Sequence, residues 1–202
     1  MARSPRALLV WGLLGLAVLV PVLDAANSPQ LAWRQPVYIA AGFAGIVGMA
    51  LLLVQPLLVS GVVQGQLGRR VHRALGGAIC IAVLAHIGAL WVTSPPDVVD
   101  ALLLRSPTSF SVWGVIGTLA VLAAAALVVI RRVFRLSWRV WAGLHTSVVA
   151  VAVVASVVHA LLIEGAMGLV SKWALCGAAL VAMIWVCGRT WRRVWRMRKG
   201  LP

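Results

Sequence analysis

Acidic residues are nearly missing from this sequence. Four of them (Asp24, Asp97, Asp100 and Glu164) stand against eighteen Lys and Arg in 202 residues. None lies inside a long apolar run, which argues against an intramembrane proton relay, where a buried carboxylate normally takes part. Cysteine is also scarce. Cys80, Cys176 and Cys187 are an odd number and none is near another in sequence, so there is no disulfide framework; each reads as a small buried hydrophobe. No Gly-rich nucleotide loop follows a strand, and no nucleophile–base pairing suggests hydrolysis. Charged residues amount to only 11%. What remains is apolar: 62% hydrophobic residues and a mean hydropathy of +1.02. A soluble domain of this size cannot hide that much apolar surface, so the chain is expected to be an all-α integral membrane protein.

The stretches between charges give six candidate spans, roughly 7–23, 37–60, 71–93, 110–130, 141–163 and 170–188. Each approaches the ~20 residues a helix needs to cross a bilayer. Alternate loops assigned to opposite sides separate the charges sharply. Fifteen of the eighteen basic residues fall on one side: Arg3 and Arg6, then Arg69, Arg70 and Arg73, then Arg131, Arg132, Arg135 and Arg139, then the run from Arg189 to Lys199. The other side holds Arg34, Arg105, Lys172 and all four acids. The positive-inside rule then predicts both termini in the cytoplasm, most simply of a bacterial inner membrane. Basic clusters between spans mark topology and not a nucleic-acid groove, so no nucleic acid is expected. The first span partly resembles a signal peptide, with Asp24-Ala25-Ala26-Asn27 behind it. Leu23 fits the small-residue cleavage pattern poorly, and an uncleaved helix is expected.

The four histidines form two pairs of identical spacing. His72 and His86 are 14 apart, and so are His145 and His159. Fourteen helical steps return to within roughly 40° of the starting direction and climb about 21 Å, so each pair shares one helix face and reaches both sides of a membrane. The third and fifth spans both run outward. His72 and His145 therefore belong near the inner face, and His86 and His159 nearer the outer one. Two such helices packed together predict two stacked bis-histidine sites, a geometry for two b-type hemes. His72 and His145 are the expected ligands of the inner iron; His86 and His159, those of the outer iron. No Cys-x-x-Cys-His run is present, so covalent attachment is not expected. Zinc is a poorer fit, because no carboxylate or thiolate completes a tetrahedron. His72 follows Arg70 by two residues and His145 follows Arg139 by six, which calls for a stagger of roughly 6 Å between the helices.

The stretch Arg69-Arg70-Val71-His72-Arg73-Ala74-Leu75-Gly76, with His86 beyond it, resembles the third helix of the ferric reductase-like transmembrane domain. Trp138-Arg139-Val140-Trp141-Ala142-Gly143-Leu144-His145, followed by His159-Ala160-Leu161-Leu162, is similar to its fifth. The resemblance covers about residues 40–190. It implies six helices, hemes held by the third and fifth, and ferric reductase-like electron transfer across the membrane. Ferric reductases and NADPH oxidases of that superfamily carry FAD- and NADPH-binding domains after the sixth helix. The expectation here is a stand-alone conduit fed by a separate flavin reductase (FMN or FAD) or by membrane quinol. Its acceptor is expected to be ferric iron or a periplasmic redox partner. Two relatives in kind stay open: a membrane subunit serving a methionine-sulfoxide reductase, and a quinol-linked cytochrome b.

Within this frame residues 1–36 form a first span and outer loop, 37–190 the heme-binding domain, and 191–202 a basic tail. Arg73 and Arg139, with Arg69 and Arg70, are candidates to meet heme propionates. The tail interleaves Trp191 and Trp195 with arginines, as an aromatic belt or a docking surface for an acidic reductase or anionic lipid. Asp97 to Arg105 is expected to form a short interfacial helix. Gly42, Gly45 and Gly48 in the second span are read as packing alone.

Overall fold

The computed structural model describes residues 5–59 and 65–198; Arg3 and Lys199 of the basic clusters lie outside them. Regular structure in the described residues is helical. The elements are α1 (Pro5–Ala26), α2 (Pro36–Val59), α3 (Gly65–Thr93), α4 (Pro95–Leu102), α5 (Ser109–Val133), α6 (Trp138–Leu162) and α7 (Leu169–Arg198). All but α4 are long and apolar enough to cross a membrane. The chain is thus an all-helical integral membrane protein with six spanning helices.

Local chemistry sets the helix ends. Pro36 opens α2 and Pro95 opens α4, where a missing N–H costs nothing. The Ser137 hydroxyl accepts from the Val140 N–H at 3.4 Å and starts α6. Arg131 and Arg132 close α5, favourably placed against its dipole. The short helix differs from its expected bounds. It begins at Pro95 instead of Asp97 and stops at Leu102, because Leu104 turns to a φ of 56°. The N–H groups of Arg105 and Ser106 then fold back onto the Asp100 carbonyl. At the far end of the chain, α7 runs on to Arg198, well past the expected end at 188. No breaker interrupts it, and Arg192 Nε donates to the Gly188 carbonyl at 2.9 Å.

α2 is the central helix, packed against α1, α3 and α7, while α5 packs on α6 and α6 on α7. The core runs through Met49–Leu53 of α2, Val121 of α5, Val153 and Val157 of α6, and Cys176, Ala179 and Met183 of α7. Leu9, Leu13, Leu16, Ile81, Leu84, Val181 and Ile184 point outward. A helix that is apolar on every side suits lipid on one face and protein on the other. One expectation needs correction. α3 and α6 do not pack broadly against each other; α3 rests on α2 and α5, and α6 on α5 and α7. A gap separates their backbones, and the histidine rings reach across it.

α5 and α6 approach closely because Gly117 has no side chain: a Cβ there would sit 3.1 Å from Ser156 Oγ. Gly117→Leu is expected to pry the two helices apart and destabilise the protein by about 1–3 kcal/mol. Gly177→Ala, whose new methyl meets nothing within 4 Å, should cause no loss. Reversible denaturation in mixed micelles measures both.

Candidate functional site

The imidazoles of His86 on α3 and His159 on α6 face each other with ring centroids 6.4 Å apart and planes at 86°. Each is anchored on its far side. His86 Nδ1 lies 2.7 Å from the Ala41 carbonyl of α2, and His159 Nδ1 lies 2.8 Å from the Phe110 carbonyl of α5. A carbonyl oxygen can only accept, so each Nδ1 must carry the proton. The lone pair of each neutral ring is thereby left at Nε2, on the side turned away from the carbonyl. A histidine that ligates a metal is commonly held in this way.

The anchoring carbonyls are reachable for a reason found in the sequence. A helical carbonyl already accepts from the N–H four residues on, and the Cβ of that later residue tilts back over it. Four residues after Ala41 comes Gly45; four after Phe110 comes Gly114. A Cβ on Gly45 would meet His86 Nδ1 at 3.2 Å, and one on Gly114 would meet the His159 ring at 2.8 Å. Both glycines exist so that an imidazole can lie against the helix. Gly45 is therefore part of the site and not packing alone. Three residues further on, Gly48 meets Ala82 and Gly117 meets Ala155. Those alanines each sit four residues before a site histidine. The α2–α3 hairpin and the α5–α6 pair thus repeat one design.

The repeat continues at the other level with a difference. Fourteen residues along, Gln55 of α2 and Ala124 of α5 present their carbonyls to His72 and His145. The approach is looser here than at the other level, and neither Nδ1 has a partner within normal hydrogen-bond geometry. The residues four further on are Val59 and Val128, whose branched side chains stand where the glycines were. His145 and His72 are within electrostatic reach of each other. Trp141 stacks on His145 at 5.0 Å and 13°, and the Arg131 guanidinium lies 4.3 Å over that indole. Trp141 Nε1 and Gln55 Oε1 are also buried and unpartnered, while Gln55 Nε2 donates to the His72 carbonyl at 3.0 Å. Of the arginines singled out by sequence, Arg73 and Arg139 are exposed, whereas Arg131 sits in this cluster.

Two histidine rings meet at the His86–His159 level. No group of three or more His, Cys, Asp or Glu gathers among the described residues. A bare zinc ion, which wants four donors, does not fit. Two imidazole donors would suit a metal already carried in a prosthetic group. Sequence reasoning missed Gly114, Ala41 and Phe110. The signal for them was the repeated Gly-x-x-Gly at 45–48 and 114–117, paired with an alanine four residues before each partner histidine. Comparison with known proteins adds nothing to this geometry: no family model matches the chain, nor does a curated protein or a solved structure. The ferric reductase-like resemblance therefore stands on the histidine motifs alone.

Gly114→Ala must displace His159, whereas Gly45→Ala asks His86 to give by a few tenths of an ångström. In 15N-histidine NMR of the purified protein, the Nδ1–H signal of His159 bonded to Phe110 should be lost in Gly114→Ala, whereas that of His86 bonded to Ala41 should persist in Gly45→Ala.

Proposed function

We propose that the chain is a b-type diheme membrane cytochrome that carries electrons across the bilayer. The observation that carries this reading is the His86–His159 pair. Two nitrogen–metal bonds of about 2.1 Å and ~1.1 Å from each ring nitrogen to its centroid would leave the rings roughly 6.4 Å apart if a metal were held between them. The measured separation is 6.4 Å. The fixed tautomers support it, because each Nε2 is a ready donor. Bound heme supplies a one-electron couple whose potential the ligands and surroundings tune.

The chain's own residues do the rest. His86 and His159 would hold the outer iron, and His72 and His145 the inner one. Apolar side chains of α2, α6 and α7 exclude water around the sites. The arginine-rich end supports a cytoplasmic placement of both termini in a bacterial inner membrane. The ferric reductase-like assignment rests on the resemblance. It makes a flavin reductase or quinol the donor, and ferric iron or a periplasmic redox protein the acceptor.

A reduced-minus-oxidised visible spectrum of the purified chain, with pyridine hemochrome quantification, tests the proposal. We expect b-type bands and about two hemes per chain. His86→Ala or His159→Ala should each remove one heme and spare the other. A well-folded preparation with no heme refutes the reading.

A further inference from the structure

Among the described residues, Lys172 is the one basic residue that is buried, and it lies at the end of the bundle opposite the arginine clusters. It is only 9% exposed, in the first turn of α7. Its Nζ donates to the Ile163 carbonyl at 2.6 Å, just past the last residue of α6. The Ile163 N–H in turn bonds to the His159 carbonyl, so the ammonium stands one helical turn beyond His159. None of the nearby acids pairs with it directly. Asp24 accepts from the Gly168 N–H at 2.7 Å, Glu164 is exposed, and no ion pair to Lys172 is formed among the described residues. A buried cation without a carboxylate is costly to keep. A hydrogen-bonding neutral side chain would cap α6 nearly as well, so the charge itself calls for an explanation.

We propose that Lys172 is the cation that raises the redox potential of the outer site. This rests on the diheme reading above. A positive charge favours the reduced form of a nearby couple, because reduction removes one unit of positive charge from it. Helix geometry puts the ammonium roughly 12 Å from the His86–His159 level and about 21 Å further from the His72–His145 level. At an effective dielectric of ~20, a unit charge at ~12 Å changes the reduced-to-oxidised ratio about tenfold; at the inner level the change is less than threefold. Lys172 also opposes the negative end of the α6 dipole, which would otherwise favour the oxidised state of a group held by His159.

The test is spectroelectrochemical titration of the purified full chain, with the two potentials assigned by comparison with His159→Ala. Lys172→Gln keeps a donor for the Ile163 carbonyl but loses the charge, and Lys172→Met loses both. Each is expected to lower the outer potential by about tenfold in the ratio, or ~59 mV for one electron. The inner potential and the absorption maxima should stay near the parent values. Lys172→Arg is expected to restore the outer potential. Outer potentials within twofold of the parent in Lys172→Gln overturn the proposal, as does an equal fall at both sites. Lys172→Gln decides the matter if Lys172→Met does not fold. A parent chain that binds no heme overturns the diheme reading and this proposal with it, whereas two hemes with unmoved potentials overturn this proposal alone.

Discussion

A hydrogen bond from an imidazole N–H to the backbone carbonyl of a neighbouring helix governs how this bundle presents its histidines. A free imidazole can carry its proton on either nitrogen and turn about two torsions. Bonding Nδ1 to Ala41 or Phe110 removes both freedoms together. The gain in stability from such a bond inside a membrane is modest, on the order of 1 kcal/mol. Its weight lies in orientation: one nitrogen is committed to the scaffold, so the other is committed to the space between α3 and α6. Glycine follows from the same constraint. The carbonyl is already half-used by its own helix, and only the absence of a Cβ four residues later exposes the rest of it.

The helices are arranged around that requirement. α2 and α5 contribute no ligand, yet each supplies a carbonyl and a glycine to the histidine helix beside it. The close α2–α3 and α5–α6 packing, through Gly48 on Ala82 and Gly117 on Ala155, brings the carbonyl within reach of the ring. Direct α3–α6 packing would work against this. It would close the space into which the two Nε2 atoms are turned, and with branched residues along both faces it would bury the rings in a solid core. Separation of the two histidine helices is therefore a consequence of how each is paired with its own supporting helix.

The spans were legible because hydropathy and charge are sufficient to locate them: a ~20-residue apolar run has few other outcomes than a membrane helix. The histidine faces were legible because a 14-residue spacing fixes both direction and height on any α-helix. The supporting residues were hidden for physical reasons. Ala41 and Phe110 act through backbone atoms, so side-chain chemistry carries no trace of them. Gly45 looks like any small residue in a membrane helix until the ring beside it is seen. The early start of α4 was written in Pro95, but its end depends on Leu104 adopting a left-handed conformation, which leucine seldom signals. The continuation of α7 through its arginines was obscured because charge ends a membrane span without ending a helix.

The two histidine levels are built from one plan and yet differ in how much order they have before any ligand arrives. At His86–His159 the rings are bonded, faced and spaced. At His72–His145 valines replace the glycines, neither Nδ1 is partnered, and His145 lies against Trp141. A ligand entering the first level meets donors already in place and loses little affinity to ordering them. At the second level it must fix two rings whose proton positions are unassigned, and that ordering cost subtracts from its affinity. Buried and unpartnered donors at Trp141, with Arg131 above them, offer compensation of a different kind, since a carboxylate-bearing ligand can satisfy both. One level thus presents preorganised nitrogen donors, and the other presents buried polar groups without a partner.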